Sequence, residues 1–361
     1  MEIKGINVLK NITLYRGKRP SNLSSYIETN RNSSNLPYPI QSDISNGLLN
    51  TSKRFFKQDM GFKFNISKKG DLFISASCDI GNVVILDEDE AFIDDKFIKF
   101  SPNENIKINY LKYWLVKNKK EIMKLGYGTT FQMLYLQQLN NFLKDQYLPS
   151  LLTQQSIIDI IEPFENSIKK INEKKERIIQ IIQELYLLNS EKTKIPLNQY
   201  IEILNNPFEN QKKYIDTSMV GNLSIENGEK ILKKKSRANL SVEMDSIIIS
   251  KMDGENKVYP IYDKKLLENI YSTGFFNITS SNNIHLIGFL LTNSFITQKS
   301  NSSVGTLMSG MNKGSFNSIY INEYKEKTID LDFILNYINI IDEILKKFNQ
   351  IINNLIELYI K

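Results

Sequence analysis

The sequence predicts an α+β fold built twice: two mixed α/β domains in pseudo-twofold tandem repeat, separated by two long helices that form an antiparallel coiled coil. Three observations predict it. A heptad row of apolar residues ends near the middle of the chain and again at its last residues, each time on Glu-Leu-Tyr, at 184–186 and 357–359. The segments ahead of the two rows match one another at nearly constant offsets. Short β-rich stretches, such as 71–75 and 247–250, sit among Gly, Asn and Ser turns in both halves.

The first row runs through Ile161, Phe164, Ile168, Ile171, Ile178, Ile182 and Leu185 in alternating steps of three and four, with Lys175 alone breaking it. A shift of 173 carries these eight positions onto Ile334, Tyr337, Ile341, Ile344, Phe348, Ile351, Leu355 and Leu358, all apolar or aromatic. Matched seams sustained over about four heptads predict two long helices packed on each other or on equivalent partners. Pro163 marks either the first turn of the first helix or a kink, because proline lacks the N–H that an interior turn uses. From there to Asn189 the helix would run about 40 Å.

Ahead of the helices, KKGDLFIS, ending at Ser75, matches VEMDSIIIS, ending at Ser250, at an offset of 175. The same offset puts Gly81-Asn82-Val83 on Asn256-Lys257-Val258 and Ile40 of YPIQSDI on Ile215 of YIDTSMV. The loop GYGTTF, with Gly128, meets SVGTLM, with Gly305, at 177. These matches divide the chain into a first domain at 1–150, a first helix at 151–190, a second domain at 191–326 and a second helix at 327–361. The polar stretch between Lys18 and Asn35 reads as an exposed loop of the first domain.

Composition narrows the function. With 361 residues, 41% of them apolar, the chain can bury two cores. Its single cysteine, Cys78, excludes a disulfide framework and a cysteine metal cage, which fits a reducing, cytoplasmic setting. No signal peptide or membrane span is read. Lysine and arginine number 46 against 40 acidic residues, and the net charge of +6 permits a polyanionic partner.

Groups able to do chemistry are few. The one histidine, His285, borders the apolar run NNIHLIGF and reads as a packed or surface residue, so no Ser/His/Asp or Cys/His set assembles around it. The acidic cluster DEDEAFIDD at 87–95 reads as a solvated turn between strands, because its repeat equivalent PIYDKKLLENIY is not similarly acidic. Asn206-Pro207-Phe208 is part of an amino-methyltransferase-like motif without its second proline, and reads as a turn. There is no phosphate-cradling Gly-x4-Gly-Lys-Ser/Thr loop. No catalytic residue and no metal site is expected.

In order along the chain, the matches resemble the DNA-specificity subunits of type I restriction-modification systems. In the first half these are Arg16-Gly17-Lys18, PYPIQSDI, GDLFISASCDIGNVVI, YGTTFQML and LPSLLTQQSIIDII. In the second they are KSRANL, DSIIISKMDGENKV, Ser272-Thr273-Gly274-Phe275 and SVGTLMSGM. The second copy departs from the pattern where INEYKEKTI replaces LPSLLTQQSI.

The resemblance implies that each α/β half is a target-recognition domain reading one part of an asymmetric bipartite site in double-stranded DNA, with the helices as a spacer. It implies a non-catalytic chain on which two methyltransferase subunits dock, carrying S-adenosylmethionine and flipping out the adenine they methylate; motor-nuclease subunits would join for restriction. Candidate DNA-binding residues in the first domain are Arg16, Lys18, Arg19, Lys53, Arg54, Ser75, Ser77 and Asn82. In the second they are Lys233, Lys234, Lys235, Arg237, Lys251, Asn256 and Lys257. The Gly-Thr loops are either close approaches to DNA or structural turns, and Lys169, Lys170, Glu173, Lys174, Glu176 and Arg177 are candidate docking residues. The rival reading is a two-domain coiled-coil scaffold that binds proteins or glycans.

Overall fold

The computed structural model describes residues 5–45, 47–49, 54–57, 63, 65–128, 132–205, 213–226, 228–230, 236–254, 256–305, 309–325 and 332–360. It is an α+β fold with two β-rich halves, and it divides into two compact units: Met1–Asn166 with Asn349–Lys361, and Ser167–Phe348.

In the first unit the run Leu72–Ser75 is buried along its whole length and forms an interior strand of a six-stranded sheet. A strand covered on both faces needs a continuous apolar run rather than an alternating one. Its neighbours are Val83–Leu86 and Phe97–Pro102, both antiparallel, with Ile12–Arg16 beyond the latter. The helix Ile108–Lys117 contributes Tyr110, Leu111, Tyr113, Trp114 and Leu115 to the core. The polar segment after Lys18 is not wholly loop: it forms the short helix Leu23–Tyr26 and the strand Ile27–Glu28, and Tyr26 stacks on Phe56 at 5.2 Å. Leu23, Tyr26 and Ile27 together give the segment an apolar surface to bury.

The second unit repeats the plan. Ile247–Ser250, again fully buried, lies between Val258–Pro260 and Phe275–Thr279, with Glu202–Leu204 beyond. Ile249 faces Val258 as Ile74 faces Val83, so the sequence offset of 175 is also the register of strand pairing. A further pair of strands runs just ahead of each long helix. Tyr147–Leu148 pairs with Ile6–Asn7, and Tyr320–Tyr324 pairs with Ser190–Pro196. In the second half INEYKEKTI therefore begins inside a strand equivalent to the one that leads into the first helix.

The long helices are Leu151–Leu188 and Asp332–Tyr359, of 38 and 28 residues. The first spans about 57 Å at 1.5 Å per residue. Pro163 lies inside it rather than in its first turn, because the helix starts twelve residues earlier, at Leu151. Each unit holds the start of one helix and the end of the other, as an antiparallel pair requires. Within the second unit the pair meets at Lys175 and Asp342, whose Nζ and Oδ1 are 2.6 Å apart.

Along the first helix, Ile161 and Ile182 are buried and Phe164, Ile168, Ile171, Ile178 and Leu185 are half-buried. The second helix departs from expectation. Ile341 is buried and Phe348 and Leu355 are half-buried, but Tyr337, Ile344, Ile351 and Leu358 are exposed. Ile338, Ile352 and Ile356 are buried instead. The cause is a doubled apolar stripe. Tyr337-Ile338, Ile344-Leu345 and Ile351-Ile352 are adjacent apolar pairs, so two faces about 100° apart both show three-four spacing. The side chain of Ile334 lies outside the described residues.

Candidate nucleic-acid interface

The strand Leu72–Ser75 ends in a tight turn that returns at Val83. Ser75 closes it: its amide donates to the Asn82 carbonyl and its hydroxyl accepts from the Asn82 amide, both at 2.9 Å. Cys78 at φ 57° and Gly81 at φ 83° supply the left-handed residues such a turn needs. A Cβ on Gly81 would also meet Lys119 and Ile122 at 3.4 to 3.5 Å. On the outer surface of the turn, the Asn82 amide donates to Asp79 and its oxygen accepts from Lys119 Nζ, each at 2.5 Å. Gln41 Nε2 donates to the Ser77 carbonyl. The turn is thus a rigid rim of small polar groups.

Beside this rim, Ser77 and Tyr127 each bridge to Met133. This brings the loop before Gly128 next to the strand end, with Tyr127 72% exposed at its tip. Gly128 adopts φ 122°. In the second unit Met252 and Val304 bridge to Gly310 in the same pattern, Val304 is 66% exposed, and Gly305 adopts φ 130°. The Gly-Thr loops are therefore equivalent parts of two equivalent sites; Thr129, Thr130 and Thr306 lie outside the described residues.

The frame is shared, and the chemistry on it differs. The backbone place of Ala76, fully buried, is taken in the second unit by Lys251: Ala76 accepts from the Leu134 amide, and Lys251 from the Met311 amide. Lys251 Nζ donates to the Thr273 carbonyl at 2.7 Å and lies 4.5 Å from the centre of the Phe276 ring. Burial, with Lys313 nearby, holds its ammonium below the usual lysine range. The place of Asn82 is taken by Lys257, whose Nζ donates to the Thr217 carbonyl at 2.8 Å. Lys299 is buried and donates to the Ser250 carbonyl at 2.7 Å, so three ammonium groups surround one strand end. Asn256 Oδ1 is buried there without a hydrogen-bond partner.

Not every candidate cation is available at this surface. Arg16 is half-buried, donating through Nε to Asp95 and through Nη1 to Leu134 carbonyls at 2.8 and 2.9 Å, and it ties its strand to two loops. Arg54 is held by Asp43 at 2.5 Å. Lys18, Arg19 and Arg237 are exposed. The Lys18 backbone is pinned by Asn65, which accepts from its amide at 3.2 Å and donates to its carbonyl at 2.8 Å. A Cβ on Gly17 would sit 2.3 Å from the Ile93 carbonyl, so only glycine lets the loop lie this close. Lys53 and Lys233, Lys234 and Lys235 lie outside the described residues. Lys119, Lys299 and Gln41 carried no sequence signal, since their partners are remote in the chain.

The acidic cluster is not wholly a solvated turn. Asp94 is fully buried, accepting from the Tyr38 hydroxyl and, at 3.0 Å, from the Lys96 amide. Burial and this carboxylate push the Tyr38 hydroxyl far above its ordinary range. Among the described residues no group of His, Cys, Asp and Glu is placed to hold a metal ion. His285 is a packed residue, with Nε2 2.8 Å from the Asn322 carbonyl and its ring 4.6 Å from that of Tyr186. Asn206, Pro207 and Phe208 lie outside the described residues, and no described helix is long and apolar enough to cross a membrane.

Residues 14–180 match the family model described as the type I restriction modification DNA specificity domain. The chain is 32% identical over 130 residues to a putative type I restriction enzyme specificity subunit of Haemophilus influenzae, a match spanning 36% of this chain and 33% of that relative. Among solved structures, it aligns with the S subunit of a type I restriction-modification system from M. genitalium at 13% identity and TM-score 0.38, covering 98% of this chain and 92% of the other. It also aligns with the HsdS subunit from Thermoanaerobacter tengcongensis at 11% identity and TM-score 0.29, covering 97% and 94%.

Proposed function

We infer from the match of residues 14–180 to the type I restriction modification DNA specificity domain that this chain is the subunit that reads DNA for such a complex, without catalysing a reaction itself. Each β-rich half reads one part of a bipartite target in double-stranded DNA. The observation that carries the reading is the frame built twice and furnished differently: a strand end at Ser75 or Ser250, a left-handed turn, and a bridged glycine loop. A rim centred on Asn82, with Asp79 and Lys119 paired beside it, and one bearing Lys251 and Lys257 offer different donors and acceptors, so the two half-sites differ in sequence. Affinity comes from Lys18, Arg19 and Arg237 on phosphates, and discrimination from the rims.

The partners are two methyltransferase subunits, which bring S-adenosylmethionine and extract the adenine they methylate at N6 while this chain holds the duplex. Motor-nuclease subunits join for restriction. Docking on the helices is supported by the exposed charges of Lys169, Lys170, Glu173, Lys174, Glu176 and Arg177 and by the exposed apolar Tyr337, Ile340 and Ile344. The setting is the cytoplasm, where such a complex meets the nucleoid.

Methylome sequencing of a host expressing this chain with its methyltransferase subunit tests the reading. One asymmetric bipartite motif is expected. Replacing residues 191–326 with those of a relative should change one half of that motif only. A host with no new methylated motif would overturn the reading.

A further inference from the structure

An acidic side chain stands in the lysine-bearing turn of the second unit. Asp253 follows Met252, which bridges to Gly310 as Ser77 bridges to Met133, so it takes the place in its turn that Cys78 takes in the first unit. Three segments hold it. Oδ1 accepts from the Gly254 amide and the Ser300 hydroxyl, both at 2.8 Å, and Oδ2 accepts from the Ser309 hydroxyl at 3.1 Å. Its own amide donates to the Ser309 carbonyl at 3.0 Å. Partial burial works against the charge, but these donors and the nearby Lys299 ammonium outweigh it and hold the carboxyl below its usual range. Asp253 stays partly exposed, and among the described residues no lysine or arginine forms an ion pair with it.

We propose that Asp253 is a specificity-determining residue of the second unit, its carboxylate accepting a hydrogen bond from the N4 amino group of one cytosine in the major groove. This rests on the reading of the chain as a bipartite DNA-specificity subunit. The fold does not demand an acid here, because the first unit makes the equivalent turn with Cys78. A carboxylate offers about four acceptor positions, and Gly254, Ser300 and Ser309 fill three of them. What remains can be met only by a donor. Phosphate oxygens, guanine O6 and N7 and thymine O4 are all acceptors, so each of them repels the group. In the major groove the cytosine N4 and adenine N6 amino groups donate, and adenine sets its N7 acceptor beside N6. Cytosine is therefore the better match for a side chain that only accepts. Lys251 and Lys257, in the same turn, offset the repulsion between this carboxylate and the DNA backbone. Because the side chain is already fixed by three segments, it loses little freedom on binding.

The test uses the full chain assembled with its methyltransferase subunits. Binding is measured to duplexes carrying the parent motif, with each position of both half-sites changed in turn to the other three base pairs, and methylome sequencing reports the motif in the host. The half-site of the second unit is the one that changes when residues 191–326 are exchanged. Asp253→Ala should lower the preference for one cytosine in that half-site by about fivefold or more, leaving its other positions and the first half-site as they were. Asp253→Asn keeps an acceptor for Gly254 and Ser300 but presents an amide donor in place of Oδ2. It should admit guanine or thymine at the same position, a reversal that a purely structural role would not produce. Equal weakening at every position of that half-site, with a lowered denaturation midpoint, would make Asp253 a residue of the turn and overturn the proposal. Preferences unchanged in both variants, or relaxation at a position that is not a cytosine, would overturn it as well. A parent complex that methylates no bipartite motif would instead overturn the functional reading.

Discussion

Lys175 Nζ lies 2.6 Å from Asp342 Oδ1 across the helix pair, and the second carboxylate oxygen, Oδ2, is buried with no hydrogen-bond partner. Burial pushes the Asp342 carboxyl above its ordinary range, and Lys175 draws it only partly back. A carboxyl raised on folding contributes stability that is full below its unfolded value and lost as pH rises through its folded value. Ionising this buried carboxyl therefore costs stability in the folded chain.

That balance predicts an asymmetry between single and double substitutions. Lys175→Met should destabilise by about 3–5 kcal/mol at pH 7, because it leaves a buried carboxylate alone. The loss should shrink on acidification, as Asp342 takes up a proton. Lys175→Met/Asp342→Leu should be neutral or more stable by about 1–4 kcal/mol. Urea midpoints at pH 7 and pH 4.5 measure both, and a double variant as weak as the single would contradict the account.

His285 makes the second unit acid-sensitive in a defined window. Nε2 donates to the Asn322 carbonyl, while Nδ1 is buried without a partner, and burial holds the imidazole below its ordinary range. A base depressed on folding contributes stability that is present above its unfolded value, about 6.5, and lost as pH falls through its folded value. Protonation would add a second N–H with nowhere to donate. Stability of the unit should fall as pH drops below about 6.5, before most carboxylates titrate. His285→Gln, which keeps a donor for Asn322, should flatten that slope in denaturation followed between pH 7 and pH 5.

Much of this was legible in the sequence because it is local or periodic. The offset of 175 between Ser75 and Ser250 reappears as identical strand registers and as equivalent turns. The fate of individual charges was not legible. Arg16 and Arg54 are among the candidate DNA-binding residues, yet Arg16 Nε and Nη1 donate to Asp95 and Leu134 and Arg54 Nη2 to Asp43. A lone lysine in a heptad row reads as a defect until Asp342, far along the chain, is set against it. The inward face of the second helix could not be read either, since adjacent apolar pairs satisfy both registers equally.

Gly17 sets the backbone that carries Lys18. Its Cα lies so close to Ile93 and Asn65 that a methyl group would sit 2.3 Å from one carbonyl oxygen and 2.8 Å from one amide nitrogen. Gly17→Ala should destabilise the first unit by about 1–3 kcal/mol through overpacking. It should also weaken recognition of one half-site while leaving the other intact. Thermal denaturation and competition with DNA mutated in either half-site separate the two effects, and equal loss at both half-sites would count against a local role.

Exposure separates cations that are open to solvent from cations that hold the fold. Lys18 and Arg237 are exposed, whereas the Arg54 guanidinium is spent on Asp43, with both side chains largely buried. A residue that neutralises one phosphate releases about one counterion, so its loss lowers the slope of log K against log salt by roughly 0.9. Lys18→Ala and Arg237→Ala should each reduce the slope by about one, weaken binding similarly to all sequences, and leave the denaturation midpoint unchanged. Arg54→Ala should leave the slope alone and lower stability by about 1–3 kcal/mol, because Asp43 loses its charged partner. Titrations of duplex DNA by the assembled complex at several salt concentrations, set beside urea denaturation of the same variants, decide the assignment. An Arg54→Ala complex with a reduced slope and an unaltered midpoint would move Arg54 from the fold to the interface.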